Sequence, residues 1–293
     1  MRVTERMIRD ASLSDLMSNV DALMKIQEQV STTKRLNRPS DDPADVRSAV
    51  KLHDAVSELE QFQRNIDVGN RTVNAADTAL ADAGDVLQRA SELAVTASNG
   101  SLSASDRANI ATEIETLAGQ LVQDASAKVG EQYIFSGFRV STPPYTAPPA
   151  GSATVGAYQG DQGVISARIG PSTTMQLNVT ADTVFKDAFD ALQQLHTQLT
   201  SGNPVPSATI SLVQKGLQSV IDARAVVGAR AKRLENAADT VSGIKLSTTE
   251  LLSKVEDADM TSVISKMSER QVTYEAALKV SASILQKSLI NEL

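Results

Sequence analysis

The stretch LHDAVSELEQFQRNIDVGNRTVNAADTALADAGDVLQRASELAVTA, residues 52–97, decides the fold. Its apolar and small residues fall at alternating steps of three and four: Leu52, Ala55, Leu59, Phe62, Ile66, Gly69, Val73, Ala76, Leu80, Ala83, Leu87, Ala90, Ala94 and Ala97. That spacing belongs to a helix seam rather than a strand. Large residues recur every seventh position and small ones fill the slots between, so a second helix can lie close along the whole edge. At a rise of 1.5 Å per residue the stretch predicts a rod of roughly 70 Å. A compact domain of this chain's size is much shorter, so an elongated molecule is expected, and elongation points to assembly rather than catalysis.

Prolines bound two stretches that are free to be helical. None occurs between Pro43 and Pro143, and none follows Pro206. The first helix is expected to open at Asn37-Arg-Pro-Ser-Asp-Asp-Pro-Ala-Asp45, where Ser40, Asp41 or Asp42 can cap and Pro43 suits the first turn. It should stop near Asn99-Gly100. A second helix should run from about Ser103-Ala-Ser-Asp106 to about Gly130, with Ile110, Ile114, Leu117 and Leu121 on one face. The late stretch carries its own seam, Ile210, Val213, Leu217, Val220, Val227, Ala231, Leu234, Ala238 and Val241, interrupted only by Arg224. Matching seams in the two halves predict a mainly α chain: an elongated antiparallel helical bundle or coiled coil.

Residues 133–185 read differently, with six glycines, five prolines and short Thr/Val/Ile runs such as Val164–Ile169 and Thr174–Val179. They predict a small, β-rich, surface-exposed insert of hairpins, followed by a helix from about Lys186 to Leu199. Seven of the nine aromatic residues lie between 133 and 189. The division expected is terminal helices at 1–36 and 258–293, rod helices at 37–132 and 186–257, and the insert between.

The two ends carry short, diluted stripes: Leu13, Leu16, Val20, Leu23 and Val30 with Gln27, and Met260, Ile264, Met267, Tyr274, Leu278 and Leu285 with Gln271. Five apolar positions contribute roughly 7 to 15 kcal/mol when buried. Ordering the 18 residues from Leu13 to Val30 costs on the order of 18 to 36 kcal/mol in backbone entropy. These ends are therefore expected to fold against each other and against neighbouring molecules, and the stripes are the candidate assembly interface.

Chemistry is sparse by comparison. The net charge of −7 opposes nucleic acid and anionic lipid as partners, and no apolar run approaches the thickness of a bilayer. Zero cysteines exclude disulfides, thiolate metal sites and a cysteine nucleophile. His53 and His196 stand 143 positions apart, so no metal site is expected, nor any cofactor. Asp257 and Asp259 read as helix-start residues, and Arg224, Arg230, Lys232 and Arg233 as a solvated or ion-paired helix face. No nucleophile, base and oxyanion set is present, so no enzymatic activity is expected.

Three segments resemble a known family. Met1-Arg-Val-Thr-Glu-Arg-Met7 leading into Arg35-Leu-Asn-Arg-Pro-Ser-Asp-Asp-Pro-Ala44, Gly130–Phe138 with Tyr133-Ile-Phe-Ser-Gly137, and Val227-Gly-Ala-Arg-Ala-Lys-Arg-Leu-Glu-Asn236 with Val255–Met260 are similar to the bacterial flagellin family. The Pro-Ser-Asp-Asp-Pro run favours its hook-filament junction type. Thr33 stands where that family commonly carries a glycine. The resemblance implies terminal helices paired in an inner layer around an export channel, and an extracellular place in the flagellum reached without a cleaved signal peptide. It implies as partners other copies of the chain, a hook-side junction protein, flagellin, a cytoplasmic export chaperone and the flagellar type III export apparatus. A short flagellin of the filament, or a secreted type III tip or adhesion protein binding through its insert, are the competing expectations.

Overall fold

The computed structural model describes residues 5–100 and 102–291, the side chains of 5, 6, 8, 9 and 284–291 excepted. Six helices dominate: α1 (Glu5–Thr32), α2 (Pro43–Ala97), α3 (Ala104–Ala125), α4 (Ala181–Thr200), α5 (Ser207–Glu256) and α6 (Met260–Asn291). Between α3 and α4 lie four short strands, β1 (Lys128–Val129), β2 (Gln132–Tyr133), β3 (Ser166–Gly170) and β4 (Thr173–Gln176), in two separate antiparallel pairs. The chain divides into two compact units, one of residues 1–58 and 244–293, the other of residues 59–243.

In the second unit the α2 seam is the core. From Leu59 on, each seam residue of α2 is buried, with Val73, Leu80, Ala83, Leu87, Ala90, Ala94 and Ala97 fully so. The α5 seam buries every seventh residue, Val213, Val220, Val227, Leu234 and Val241. Arg224, which interrupts it, stays exposed and reaches Asp77 of α2 at 3.1 Å. Connections fix the helix directions. Val205 donates its N–H to the Ala97 carbonyl, and buried Arg107 donates to the carbonyls of Gly202 (2.8 Å) and Leu102 (3.4 Å). The end of α2, the start of α3, the end of α4 and the start of α5 therefore meet at one end, giving an up-down-up-down four-helix bundle.

Local signals place most boundaries. Ser103 and Asp106 form a reciprocal capping box at the start of α3. Asp42 caps α2 by accepting the N–H groups of Ala44 (3.0 Å) and Asp45 (3.1 Å), with Pro43 in the first turn. Two boundaries differ from expectation: α3 ends at Ala125 rather than near Gly130, and α4 begins at Ala181, five residues before Lys186. Both differences arise because the insert is anchored at its two ends, by β1–β2 pairing after α3 and by the Ala181 N–H donating to the Phe135 carbonyl (2.8 Å) before α4.

The hairpin expected over Val164–Ile169 and Thr174–Val179 is β3–β4, and in the rest of the insert side chains rather than ladders tie the backbone together. Asp161 accepts the N–H groups of Phe138 (2.7 Å) and Gly163 (2.8 Å), which hold its carboxyl below the usual carboxylate range. Gly137 sits at φ 70°, and any Cβ there would run into Asp161. Asn178, buried, accepts from the Ile165 N–H and donates to the Gly163 carbonyl, both at 2.8 Å. Nor is the insert wholly on the surface. Phe135, Tyr145, Ile169, Met175 and Leu177 join the bundle core, where Phe135 meets Phe185 edge-on at 5.5 Å and Tyr145 meets Phe189 at 4.7 Å.

Two features generate expectations. Gly216 of α5 lies against α4, and a Cβ there would come within 2.7 Å of the Ala188 Cα. Gly216→Ala is expected to cost about 1–3 kcal/mol by forcing these helices apart, measured by denaturant unfolding. Asp124 of α3 has one buried carboxylate oxygen without a hydrogen-bond partner. Burial, and secondarily the charge of Asp82, push its pKa up to about 6. A folded value raised above the unfolded one stabilises fully at low pH and loses that contribution as pH rises through about 6. Asp124→Asn should accordingly raise stability at pH 7 by on the order of 1 kcal/mol, after solvent screening of this half-buried group, and the gain should fade towards pH 4. Melting temperatures of both proteins across that range check it.

Candidate assembly interface

In the first unit, α1 and α6 pack along each other. Their roots are joined by a short antiparallel bridge, Lys34 to Asp257, with the Ala258 N–H donating to the Thr33 carbonyl (3.0 Å) and the Arg35 N–H to the Glu256 carbonyl (2.7 Å). Thr33 adopts φ 57°, a left-handed conformation rare outside glycine and asparagine, and this is what turns the chain sharply out of α1. With its root at the end of α1, α6 runs back antiparallel to it.

Glu256 is the centre of a polar clasp on this root. One carboxylate oxygen accepts from the Lys34 ammonium (2.6 Å) and the other faces His53 Nε2 (2.9 Å). The Arg35 guanidinium bridges Asp45 (2.5 Å) and the Val255 carbonyl (2.6 Å). Next to it, Asp41 accepts from Lys25 (2.8 Å) and from the N–H groups of Arg38 (2.9 Å) and Asn37 (3.1 Å). The Lys25 hydrogen bond, then that of Arg38, holds the Asp41 carboxyl below its ordinary value. Asp259 caps α6 through the Thr261 N–H (3.0 Å), as its position suggested. Leu36, Ala49 and Val263 are buried in this unit.

Along the pair, the sequence-predicted stripes divide. Leu16, Val20, Leu23, Val30, Met260, Met267 and Tyr274 are half-buried, whereas Leu13, Ile264 and Leu278 are exposed, at 45, 54 and 40%. The side chain of Leu285 lies outside the described residues. The covered face of α6 runs through Met260, Val263, Met267, Tyr274, Ala277 and Ser281, so its second rank is Val263 and Ala277 where the stripe read from sequence had Ile264 and Leu278. On α1 the covered face is Ser12, Leu16, Asn19, Leu23, Ile26 and Val30. No described side chain of α1 is fully buried.

Other chemistry is absorbed locally. Arg230 donates to the Asn178 carbonyl (2.8 Å), and Lys232 pairs with Glu235 (2.7 Å). Among the described residues no cluster of three His, Asp or Glu could hold a metal, and no helix is long and apolar enough to cross a membrane.

A four-helix bundle in one unit and a half-covered antiparallel helix pair in the other give the fold of a structural subunit. The chain belongs to the bacterial flagellin family: the flagellin N-terminal helical region matches residues 3–139 and the C-terminal helical region residues 210–293. It is 27% identical to the flagellar hook-associated protein 3 of Salmonella typhimurium over 99% of this chain and 98% of that one. It is 25% identical to the flagellin of Bacillus subtilis over 98 and 97% of the respective chains. Among solved structures, the flagellar hook-associated protein 3 of Legionella pneumophila shares the fold with a TM-score of 0.61, at 16% identity, covering 70% of this chain and 98% of that chain.

The clasp should set the stability of the root. Glu256→Ala is expected to remove about 1–2 kcal/mol and to speed amide exchange in residues 33–37 and 257–263, leaving residues 73–94 of α2 unchanged. Hydrogen exchange resolved by peptide checks both halves of this statement.

Proposed function

We propose that this chain is a structural subunit of the bacterial flagellum that joins hook to filament through its terminal helices. The single observation that carries the proposal is the α1–α6 pair, whose stripes are half-covered within one chain and leave Leu13, Ile264 and Leu278 to solvent. A helix pair that stops short of a full core has apolar surface to offer a neighbour. The full-length likeness to a hook-associated protein, together with the Arg-Pro-Ser-Asp-Asp-Pro connector, supports the junction in preference to the filament. In this reading the terminal segments 1–36 and 258–293 form the assembly layer, 37–132 and 186–257 supply the bundle helices, and 133–185 is the insert. Its neighbours are further copies of itself, a hook-side junction protein and flagellin. It reaches the appendage through the flagellar type III export apparatus, escorted in the cytoplasm by a small export chaperone.

The likeness to a flagellin supports the second reading, a short subunit of the filament itself. Imaging separates the two: tagged protein at the junction gives one focus at the base of each filament, and label along the filament overturns the proposal. Deleting residues 1–30 or 260–293 should leave the bundle of residues 59–243 helical by circular dichroism while abolishing motility. Retained motility with either deletion counts against the terminal helices as the assembling elements.

A further inference from the structure

In the bundle unit a cleft opens between α2 and the insert. Val68, Arg71 and Thr72, spaced by three and four, share one face of α2 beside the buried seam. The insert supplies the other walls: Val129 and Tyr133 from the β1–β2 hairpin, Val140 beyond it, and Ile165 and Leu177 from the segments flanking β3 and β4. The space enclosed is about 250 Å³. Pockets that take drug-sized molecules measure roughly 300–1,000 Å³, so the occupant that fits here is smaller.

The cleft has a closed base and an open rim. Ile134, Leu177 and Asn178 are buried, whereas Val68, Arg71 and Gln132 are exposed. Gly69 of α2 is what admits Leu177 to the base, since a Cβ there would lie 3.0 Å from the Leu177 Cδ2. A cavity closed below by buried residues suits a molecule that enters end-on better than a chain that passes through.

Its polar groups divide in the same way. The Asn178 side chain already serves the Ile165 N–H and the Gly163 carbonyl, and its own carbonyl accepts from Arg230 (2.8 Å) and Gln176 (3.0 Å). The Thr72 hydroxyl donates to the Val68 carbonyl (3.1 Å). The interior therefore presents aliphatic surface and needs no further hydrogen bond. At the rim stands Arg71, the one charged residue among the described residues of the lining, with no ion pair or side-chain hydrogen bond to any described residue. Lys128 adds a second cation nearby, its ammonium 4.4 Å from the centre of the Tyr133 ring. In a chain whose acids outnumber its bases 35 to 28, no carboxylate lines this cleft.

We propose that the cleft binds a small organic acid, an aliphatic or aromatic body carrying one carboxylate. The body fills the apolar interior, and the carboxylate stays at the rim, where the Arg71 guanidinium can take both oxygens in parallel hydrogen bonds. Burying the body removes apolar surface from water, and leaving the carboxylate at the mouth avoids the cost of drawing a charge inside. An uncharged molecule forgoes Arg71. This site belongs to the bundle and its insert, so it stands apart from the assembly reading of the terminal helices.

The probe is sodium 4-methylpentanoate, with its uncharged amide as the control, added at matched ionic strength to purified full-length protein with isotope-labelled valine, leucine and isoleucine methyl groups. In two-dimensional methyl spectra Val129, Val140, Ile165 and Leu177 should shift saturably with the acid, half-saturating at roughly 1–10 mM, while Val213 and Val220 of α5 stay still. The amide should bind about tenfold more weakly, and Arg71→Gln should bring acid and amide to the same weak binding. Ile165→Phe fills the interior and should abolish both responses, with circular dichroism reporting that each variant is folded. Arg71 is exposed, so Arg71→Gln decides the matter if Ile165→Phe does not fold. No saturable shift up to about 100 mM, or acid binding equal to that of the amide or undiminished in Arg71→Gln, overturns the proposal. Saturable binding of acetyl-leucyl-aspartyl amide by protein that 4-methylpentanoate leaves unperturbed overturns it too, and assigns the cleft to an acidic segment of a partner chain.

Discussion

The bundle depends on how closely one helix lets others approach. Along α2 the seam alternates large with small: Ile66 and Gly69, Val73 and Ala76, Leu80 and Ala83, Leu87 and Ala90, then Ala94 and Ala97, every one of them buried. Leucine at each small position would push the neighbouring helices outward and open voids at the large ones, where close packing leaves no room for either. The other helices answer in kind. Gly216 lies against Ala188, and Ala111, Ala118 and Ala125 of α3 are buried along with Ile114 and Leu121. Aliphatic and small side chains suffice here, which explains why most of the chain manages without aromatic residues.

The insert obeys another constraint. Without long ladders, its backbone polar groups find partners among side chains: Asp161 for two amides, Asn178 for an amide and a carbonyl, and Ser136 for the Thr142 carbonyl. A buried polar group left unpaired is costly, so a loop-rich segment can enter a core only if such residues stand where its backbone turns. The aromatic cluster of Phe135, Tyr145, Phe185 and Phe189 then fills the space where insert and helices meet. Burial, chiefly, pushes the hydroxyl of Tyr145 above its ordinary pKa, as expected for a ring enclosed there.

What the sequence revealed, and what it withheld, follow from these two constraints. Helices held by periodic seams were legible, with starts expected around Ser103–Asp106 and at Pro43 behind Ser40, Asp41 or Asp42, because seams and caps are local patterns; the structure selects Asp42 and joins Ser103 and Asp106 in a capping box. The hairpin read from Val164–Ile169 and Thr174–Val179 is present as β3–β4, whereas the insert's share in the core was not legible, because that order comes from contacts between residues far apart, such as Phe138 with Asp161. One signal was available: seven aromatics crowded into 133–189 are too much apolar area to leave in water, and they mark a second core. The candidate interface was legible in part. Stripes were found at both ends, but a choice between steps of three and four is poorly determined where polar residues interrupt the pattern. Val263 and Ala277 are covered where Ile264 and Leu278 had been expected.

Dilution of the terminal stripes has an energetic consequence. Asn19 on the covered face of α1, and Ser281 on that of α6, stand where a self-sufficient helix pair would carry leucine or valine. Each such substitution forgoes about 1.5–3 kcal/mol of burial. The root is instead secured by polar contacts, with Glu256 gathering Lys34 and His53 while the left-handed turn at Thr33 lets the chain double back. Such a clasp fixes where the helices begin but adds little along their length, since ion pairs this exposed contribute at most about 1 kcal/mol each. Stability must therefore fall with distance from the root, and the far turns of α1 and α6 gain most from a neighbour that covers Met7, Leu13 and Leu278. In the assembly proposed above, the contact surface lies on the least stable part of the fold, where a partner's burial energy has the greatest effect on order.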